Sequence, residues 1–137
     1  MSYSDDLLEG KYKVYNSKGI LIEERNYKND YLDGVQKHYF DNGNLKFEGS
    51  FKDGNRDGKH KTYDVKGNLI EEENYKNDRF DGVQKYYYEN GNLKAEANYK
   101  NGKFNGILKT YDTKGNVLKE ESYKNDRLIN SKSFNIR

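Results

Sequence analysis

The chain has no cysteine, no proline and no tryptophan, and only two histidines in 137 residues. Without cysteine there is no disulfide framework, no thiolate nucleophile and no cysteine-ligated zinc site. Without proline, a turn-rich chain has to make its turns with Gly and Asn. No apolar run is long enough for a transmembrane helix, and the first residues do not read as a signal peptide. An excess of one charge sign is missing too: 25 basic residues against 23 acidic ones leave +2. That balance gives no electrostatic reason to expect nucleic acid or an anionic membrane as partner. A chain complete as written would stay in the cytoplasm; a removed N-terminal signal would instead allow a surface or secreted location.

Apolar residues are also scarce, at 32% against 35% charged. Such a composition alone points towards disorder. The 14 Tyr and 6 Phe argue the other way, because they recur at fixed spacing. The stretch Gly82–Asn105, GVQKYYYENGNLKAEANYKNGKFN, has a counterpart every 24 residues, starting at Gly10, Gly34, Gly58 and Gly106, with no insertion. Five copies therefore fill 10–129. Residues 1–9 read as a partial repeat, since Tyr3, Asp6 and Leu8 fall in the slots of Tyr27, Asp30 and Leu32. Residues 130–137 read as an atypical capping strand, with Lys132 and Arg137 discouraging further pairing.

Within each copy Gly is followed five residues later by Tyr (Tyr39, for example), then by a second Gly (Gly43), Leu or Val (Leu45) and Tyr or Phe (Phe51). Asp41-Asn42-Gly43 and Glu89-Asn90-Gly91 are turn sequences between segments rich in Tyr, Val, Ile and Thr, which makes each copy a β-hairpin. A second turn, Asp53-Gly54 or Asn101-Gly102 in two copies and Asn-Asp elsewhere, leads to the next. The expected fold is all-β: an elongated single-layer antiparallel meander of five 24-residue hairpins, about ten strands. At ~4.8 Å per strand it would be roughly 45–50 Å long.

A three-residue loop at 41–43 puts Tyr39 opposite Leu45 and gathers Val35, Phe47, Gly49 and Phe51 on their face. A two-residue loop would instead pair Lys13 with Glu24, Lys37 with Glu48, Lys61 with Glu72, Lys85 with Glu96 and Lys109 with Glu120. Exposed cross-strand ion pairs contribute about 0.2–1 kcal/mol each, whereas one buried large side chain contributes about 1.5–3 kcal/mol. The three-residue register is therefore expected, with Lys and Glu as diagonal neighbours. A longer period of 48 residues is superimposed, since copies one, three and five resemble each other, as do two and four. Ile22, Ile70 and Leu118 are expected on the second face in the odd copies; Phe40, Tyr86 and Tyr88 in the even ones.

No catalytic constellation is visible. His38 and His60 occupy unrelated slots and are expected as surface strand residues, without metal or triad spacing. Glu23-Glu24, Glu71-Glu72-Glu73 and Glu120-Glu121 are mid-strand runs beside Lys, expected as a solvated charged face. The glycines serve hairpins rather than a phosphate-binding loop before a helix. No cofactor or metal is expected, and the chain is not expected to be an enzyme. A one-layer sheet leaves aromatic residues partly exposed in a stripe, and such stripes mark partner sites. The candidates for specificity are residues that the repeat does not demand: Phe40, Phe47, Tyr86, Tyr88, His38 and Arg25.

The slots of Gly34–Gly54, Gly-x-x-Lys-x-Tyr-x-x-Asn-Gly-Asn-Leu-x-x-Glu-x-x-Phe-Lys-x-Gly, resemble the MORN repeat, in particular its bacterial variant with Leu after the second Gly. The resemblance spans nearly the whole chain. It implies stacked hairpins in a single-layer sheet, and a non-enzymatic protein-binding module of the antitoxin-like or immunity-like kind, with a toxin as partner. The alternative it implies is a lipid- or envelope-associated structural or scaffolding repeat, which balanced charge and abundant Glu do not favour.

Overall fold

A computed structural model describes residues 7–134. Tyr3 and Asp6 of the partial first repeat, and Arg137 of the capping strand expected from the sequence, lie outside them. The described chain forms one antiparallel sheet without helices. Hairpins pair β1 (Gly10–Tyr15) with β2 (Leu21–Lys28), and after the short β3 (Tyr31–Leu32), β4 (Gly34–Tyr39) with β5 (Leu45–Lys52). The third joins β6 (Asn55–Tyr63) to β7 (Leu69–Lys76) and is followed by β8 (Arg79–Phe80). The fourth joins β9 (Gly82–Tyr87) to β10 (Leu93–Lys100), followed by β11 (Lys103–Phe104); the fifth joins β12 (Gly106–Tyr111) to β13 (Val117–Lys124). A last strand, β14 (Arg127–Ser133), lies beside β13 and begins three residues earlier than the capping strand expected from the sequence. The two-residue strands β3, β8 and β11 extend the ends of β2, β7 and β10.

The two turns of each copy are held differently. In odd copies the first turn is closed by an Asx side chain: Asp64 Oδ1 accepts hydrogen bonds from the Lys66 and Asn68 amides, as Asn16 and Asp112 do in their copies. In even copies Phe40 and Tyr88 take that slot, and Asn42 and Asn90 do the capping two residues later. These even turns also clasp the next copy. Asn42 and Asn44 donate to the Val65 carbonyl, and Asn90 and Asn92 to that of Thr113. The 48-residue period therefore has a structural meaning, since an even copy reaches over the odd copy after it. The second turns put both central residues at positive φ (Asp53 49°, Gly54 84°; Asn77 49°, Asp78 71°), the geometry that matches strand twist and suits Asn, Asp and Gly.

The register joins the two alternatives considered above. Tyr39 faces Leu45, as expected, but a β-bulge at Lys46 follows, after which His38 faces Phe47 and Lys37 faces Glu48. The same shift occurs in every copy. One extra residue moves everything beyond it to the other side. The expectation of a single apolar face is therefore corrected: Tyr39 and Leu45 lie on one face, and Phe47, Gly49 and Phe51 on the other. Lys and Glu are direct partners, not diagonal ones.

On the face of Tyr39 this produces a charge row across the whole sheet. Lys13, Glu24, Lys37, Glu48, Lys61, Glu72, Lys85, Glu96, Lys109, Glu120 and Lys132 follow one another, each opposite the next across a strand boundary. The recurring Tyr belongs to this row. Tyr39 donates to Glu24 of the preceding copy at 3.3 Å, and Tyr111 to Glu96 at 3.1 Å.

Burial is thin, as expected for one layer. Among the described residues only Gly49, Ala97, Gln36, His60 and Gln84 are buried. Three of these five are polar, and each of the three closes a gap between copies. Strands β2 and β4 pair at only two positions, Glu23 with His38 and Glu24 with Lys37. Beyond them the Gln36 amide does what a backbone would: its Oε1 accepts from Asn26 N (2.6 Å) and its Nε2 donates to Asn26 O (3.0 Å). Gln84 does the same with Asn74. A buried polar group costs little once its bonds are made.

Candidate binding surface

The opposite face carries a ladder of rings. The bulge delivers Tyr27, Phe51, Tyr75, Tyr99 and Tyr123 to it, and the short strands insert Leu32, Phe80 and Phe104 between them. His38, Phe47, His60, Tyr75, Phe80, Tyr99, Phe104 and Tyr123 each contact the next, with centroids 4.5–5.7 Å apart. Tilted and offset pairs of this kind add about 0.5–1.5 kcal/mol each beyond their buried area. Sequence reasoning missed the slot of Leu32, Arg56, Phe80, Phe104 and Leu128. Its own 24-residue recurrence, just after the second turn, was the available signal. Arg56 replaces an aromatic there and still stacks, its guanidinium 4.4 Å from the Tyr75 centroid and bonded to Asp78 at 2.8 Å.

His60 corrects a second expectation. It is not a surface residue but 3% exposed, wedged among Phe47, Phe51 and Tyr75. It occupies the slot of Gln36 and Gln84 and fills the same gap, its Nε2 lying 2.8 Å from the Ser50 carbonyl. A carbonyl only accepts, so this nitrogen carries the hydrogen. Burial holds the ring below its ordinary pKa, partly offset by that bond. The ring fits only because the facing residue is Gly49: a Cβ there would lie 2.5 Å from His60 Nδ1 and 2.6 Å from the Phe47 ring.

Three of the six candidates come together. Arg25, His38 and Phe47 surround Glu23, with Tyr27, Leu32, Gln36 and Phe51 completing an open concavity of about 200 Å³. Arg25 Nε donates to Glu23 Oε1, His38 Nε2 stands 4.0 Å from the same oxygen, and the His38 ring lies edge-on to Phe47 at 5.7 Å. The hydrogen bond from Arg25 keeps the Glu23 carboxyl below its usual range. This pairs an aromatic wall with a hydrogen-bonded charge cluster, and all three groups remain partly open to solvent.

The other candidates sit elsewhere. Phe40 stands at the first-turn end of copy two, with Lys46 Nζ 5.5 Å over its ring. Tyr88 holds the corresponding place in copy four, and its hydroxyl donates to the Tyr111 carbonyl at 2.7 Å, a clasp between copies. Tyr86 lies 48 residues from His38 in the same slot. Its hydroxyl meets Glu73, which also accepts from Tyr75. Burial, and then the nearby Glu73, raise the pKa of Tyr86, and the same two causes push Tyr75 up to about 12. The Glu71 carboxyl is raised too, by burial and by Glu73. The Glu runs are therefore split: Glu72 joins the charge row, while Glu71 and Glu73 are half-buried on the ladder face. No group of three or more potential metal ligands forms among the described residues, and no helix among them is long and apolar enough to cross a membrane.

A one-layer sheet of stacked hairpins, with one charged and one aromatic face, defines a repeat-based interaction module of the kind that associates with proteins or membranes. The chain belongs to the MORN repeat variant family, whose model matches residues 8–29, 32–53, 56–77, 80–101 and 104–125. Each match ends at a second turn, so the family unit and the structural hairpin coincide. A comparison with curated proteins finds no match to this chain.

Proposed function

We propose that this protein is a non-enzymatic protein-binding module that receives a partner's side chains in the concavity over copies one and two. The observation that carries the reading is the meeting of Arg25, His38 and Phe47 around Glu23. All three are departures from the repeat, and their side-chain partners here are other side chains rather than backbone. Arg and aromatic residues are the side chains enriched at protein interfaces, and a desolvated pocket lined by them is where binding energy concentrates. Neutralisation of a toxin, the role implied by the family resemblance, is the biological form proposed. The charge row favours a protein over an anionic membrane, because its lysines and glutamates alternate and leave no basic patch.

The test is retention of proteins from the native organism on immobilised wild-type chain and on Phe47→Ala. The reading expects a discrete partner that the variant loses while keeping its β-sheet circular dichroism. Identical retention by both, or none by either, contradicts it. Co-sedimentation with anionic vesicles at low and at physiological salt is expected to give no binding; pelleting with them at physiological salt would favour the membrane reading.

A further inference from the structure

Each odd copy sets two ionisable side chains, two residues apart, on the ladder face of its second strand. In copy one they are Glu23 and Arg25, joined by a hydrogen bond from Arg25 Nε. In copy five they are Lys119 and Glu121, 3.4 Å apart. Copy three has Glu71 and Glu73 instead, roughly 6.5–7 Å apart along the strand. Among the described residues neither makes an ion pair. The nearby lysines, Lys59, Lys61 and Lys85, stand around Glu72 on the other face. Copy three is thus the odd copy in which the cation is missing, and Glu71 is held above the usual carboxylate range by burial and by Glu73.

The surroundings suit a planar cation. Glu73 already accepts the hydroxyls of Tyr75 and Tyr86, whereas Glu71 has no such bond among the described residues. Tyr86 is the cross-strand neighbour of Glu71 and stays part-exposed. Beside it Ala95 is a small residue where copy two has Phe47. A guanidinium offers two parallel donors to one carboxylate and a flat face to a ring, and an ammonium offers neither. The chain uses the same chemistry one strand away, where the Arg56 guanidinium lies 4.4 Å from the Tyr75 centroid and bonds to Asp78.

We propose that the ladder face over copies three and four docks an arginine-bearing segment of another protein, its guanidinium forked onto Glu71, balanced by Glu73 and laid against Tyr86. The occupant is a segment rather than a free cation because Tyr75, next along the strand after Glu73, opens the run Tyr75, Phe80, Tyr99 and Phe104. Those rings are part-exposed, and apolar residues flanking the arginine gain further burial against them. The surface shares no residue with the concavity over copies one and two, so it stands or falls apart from the function proposed above.

The probe is a fluorescein-labelled peptide, Gly-Ser-Leu-Arg-Leu-Ser-Gly, titrated with the full chain and followed by anisotropy. Otherwise identical peptides carry citrulline or lysine in place of arginine. Saturable binding of the arginine peptide is expected, about tenfold weaker with citrulline, which keeps the shape and loses the charge, and with Glu71→Gln. Glu73→Arg gives copy three the Glu-Arg pair with which copy one already folds. It should abolish binding and leave the β-sheet circular dichroism intact, whereas Glu120→Gln, on the charged face, should change nothing. The inference is overturned by absence of saturable binding, by citrulline or lysine peptides that bind equally well, or by affinity indifferent to Glu71→Gln and Glu73→Arg. Argininamide binding as tightly as the peptide would overturn the docking of a segment. Binding lost with Phe47→Ala but kept with Glu71→Gln would put the peptide in the concavity, which overturns this inference and leaves the proposed function standing.

Discussion

Over copies one and two, the ladder face presents Glu23, Arg25, His38 and Phe47; over copies three and four the same slots hold Glu71, Glu73, Tyr86 and Ala95. The framework between them is shared: Tyr27 and Tyr75, Gln36 and Gln84, Phe51 and Tyr99. In the first region Arg25 neutralises Glu23, and Phe47 rises beside Gly49 as an aromatic wall. In the second, two carboxylates share the strand, and the hydroxyls of Tyr75 and Tyr86 both donate to one of them, Glu73. The difference teaches that the repeat determines where side chains stand and leaves their chemistry free. Slots bonded to backbone, such as Gln36 and His60, build the sheet; slots that face only other side chains can vary between regions.

The largest expected effect breaks the comparison at Gly49. Gly49→Ala pushes a Cβ into His60 and Phe47 and should destabilise the chain by about 1–3 kcal/mol in urea unfolding, an overpacking cost. The reverse change in the counterpart slot, Ala97→Gly, only removes a buried methyl and loosens the strand, for about 0.5–1 kcal/mol. Equal costs would mean that the two regions are packed alike.

The next sharpens it through His60. Its folded pKa is depressed, so between that value and the ordinary 6.5 the unfolded chain binds more protons than the folded one. Stability is then complete above about pH 6.5 and falls as pH drops through that window. His60→Gln places in this slot the residue that already fills it in copies two and four. It should flatten the slope between pH 7 and 5 without loss of the sheet, whereas an unchanged slope would assign the effect to another group.

The smallest concerns the face both regions share. Lys37→Glu sets three glutamates in succession, 24, 37 and 48, in the charge row and should cost on the order of 0.2–1 kcal/mol per pair. The loss should shrink as salt is raised, because exposed pairs are screened. Loss of folding would mean that the row carries far more than exposed pairs do.

Much of the architecture was legible in the sequence because a 24-residue period without insertions leaves few ways to fold. The hairpins, both turns, the meander and the existence of a 48-residue period all follow from Gly, Asn and Asp spacing, while the clasp that gives that period its meaning does not. The bulge was not legible. Weighing apolar pairing at Tyr39–Leu45 against the Lys37–Glu48 ladder treated them as exclusive, and one extra residue at Lys46 satisfies both. That single residue exchanged the faces, and with it hid the ring ladder, the slot of Phe80 and Phe104, and the burial of His60. Of the candidate site, the exceptions to the repeat could be named, but their grouping depended on face. Only with the bulge in place do Arg25, His38 and Phe47 stand together, with Tyr86 two copies away.

The proposed recognition rests most on that grouping, and a titration calorimetry comparison with the retained partner tests it directly. Arg25→Ala and Phe47→Ala should each weaken binding about tenfold or more, while Tyr86→Ala, in the counterpart slot, should leave it within about twofold. Equal losses at all three, or a loss confined to Tyr86, would contradict the assignment of recognition to copies one and two.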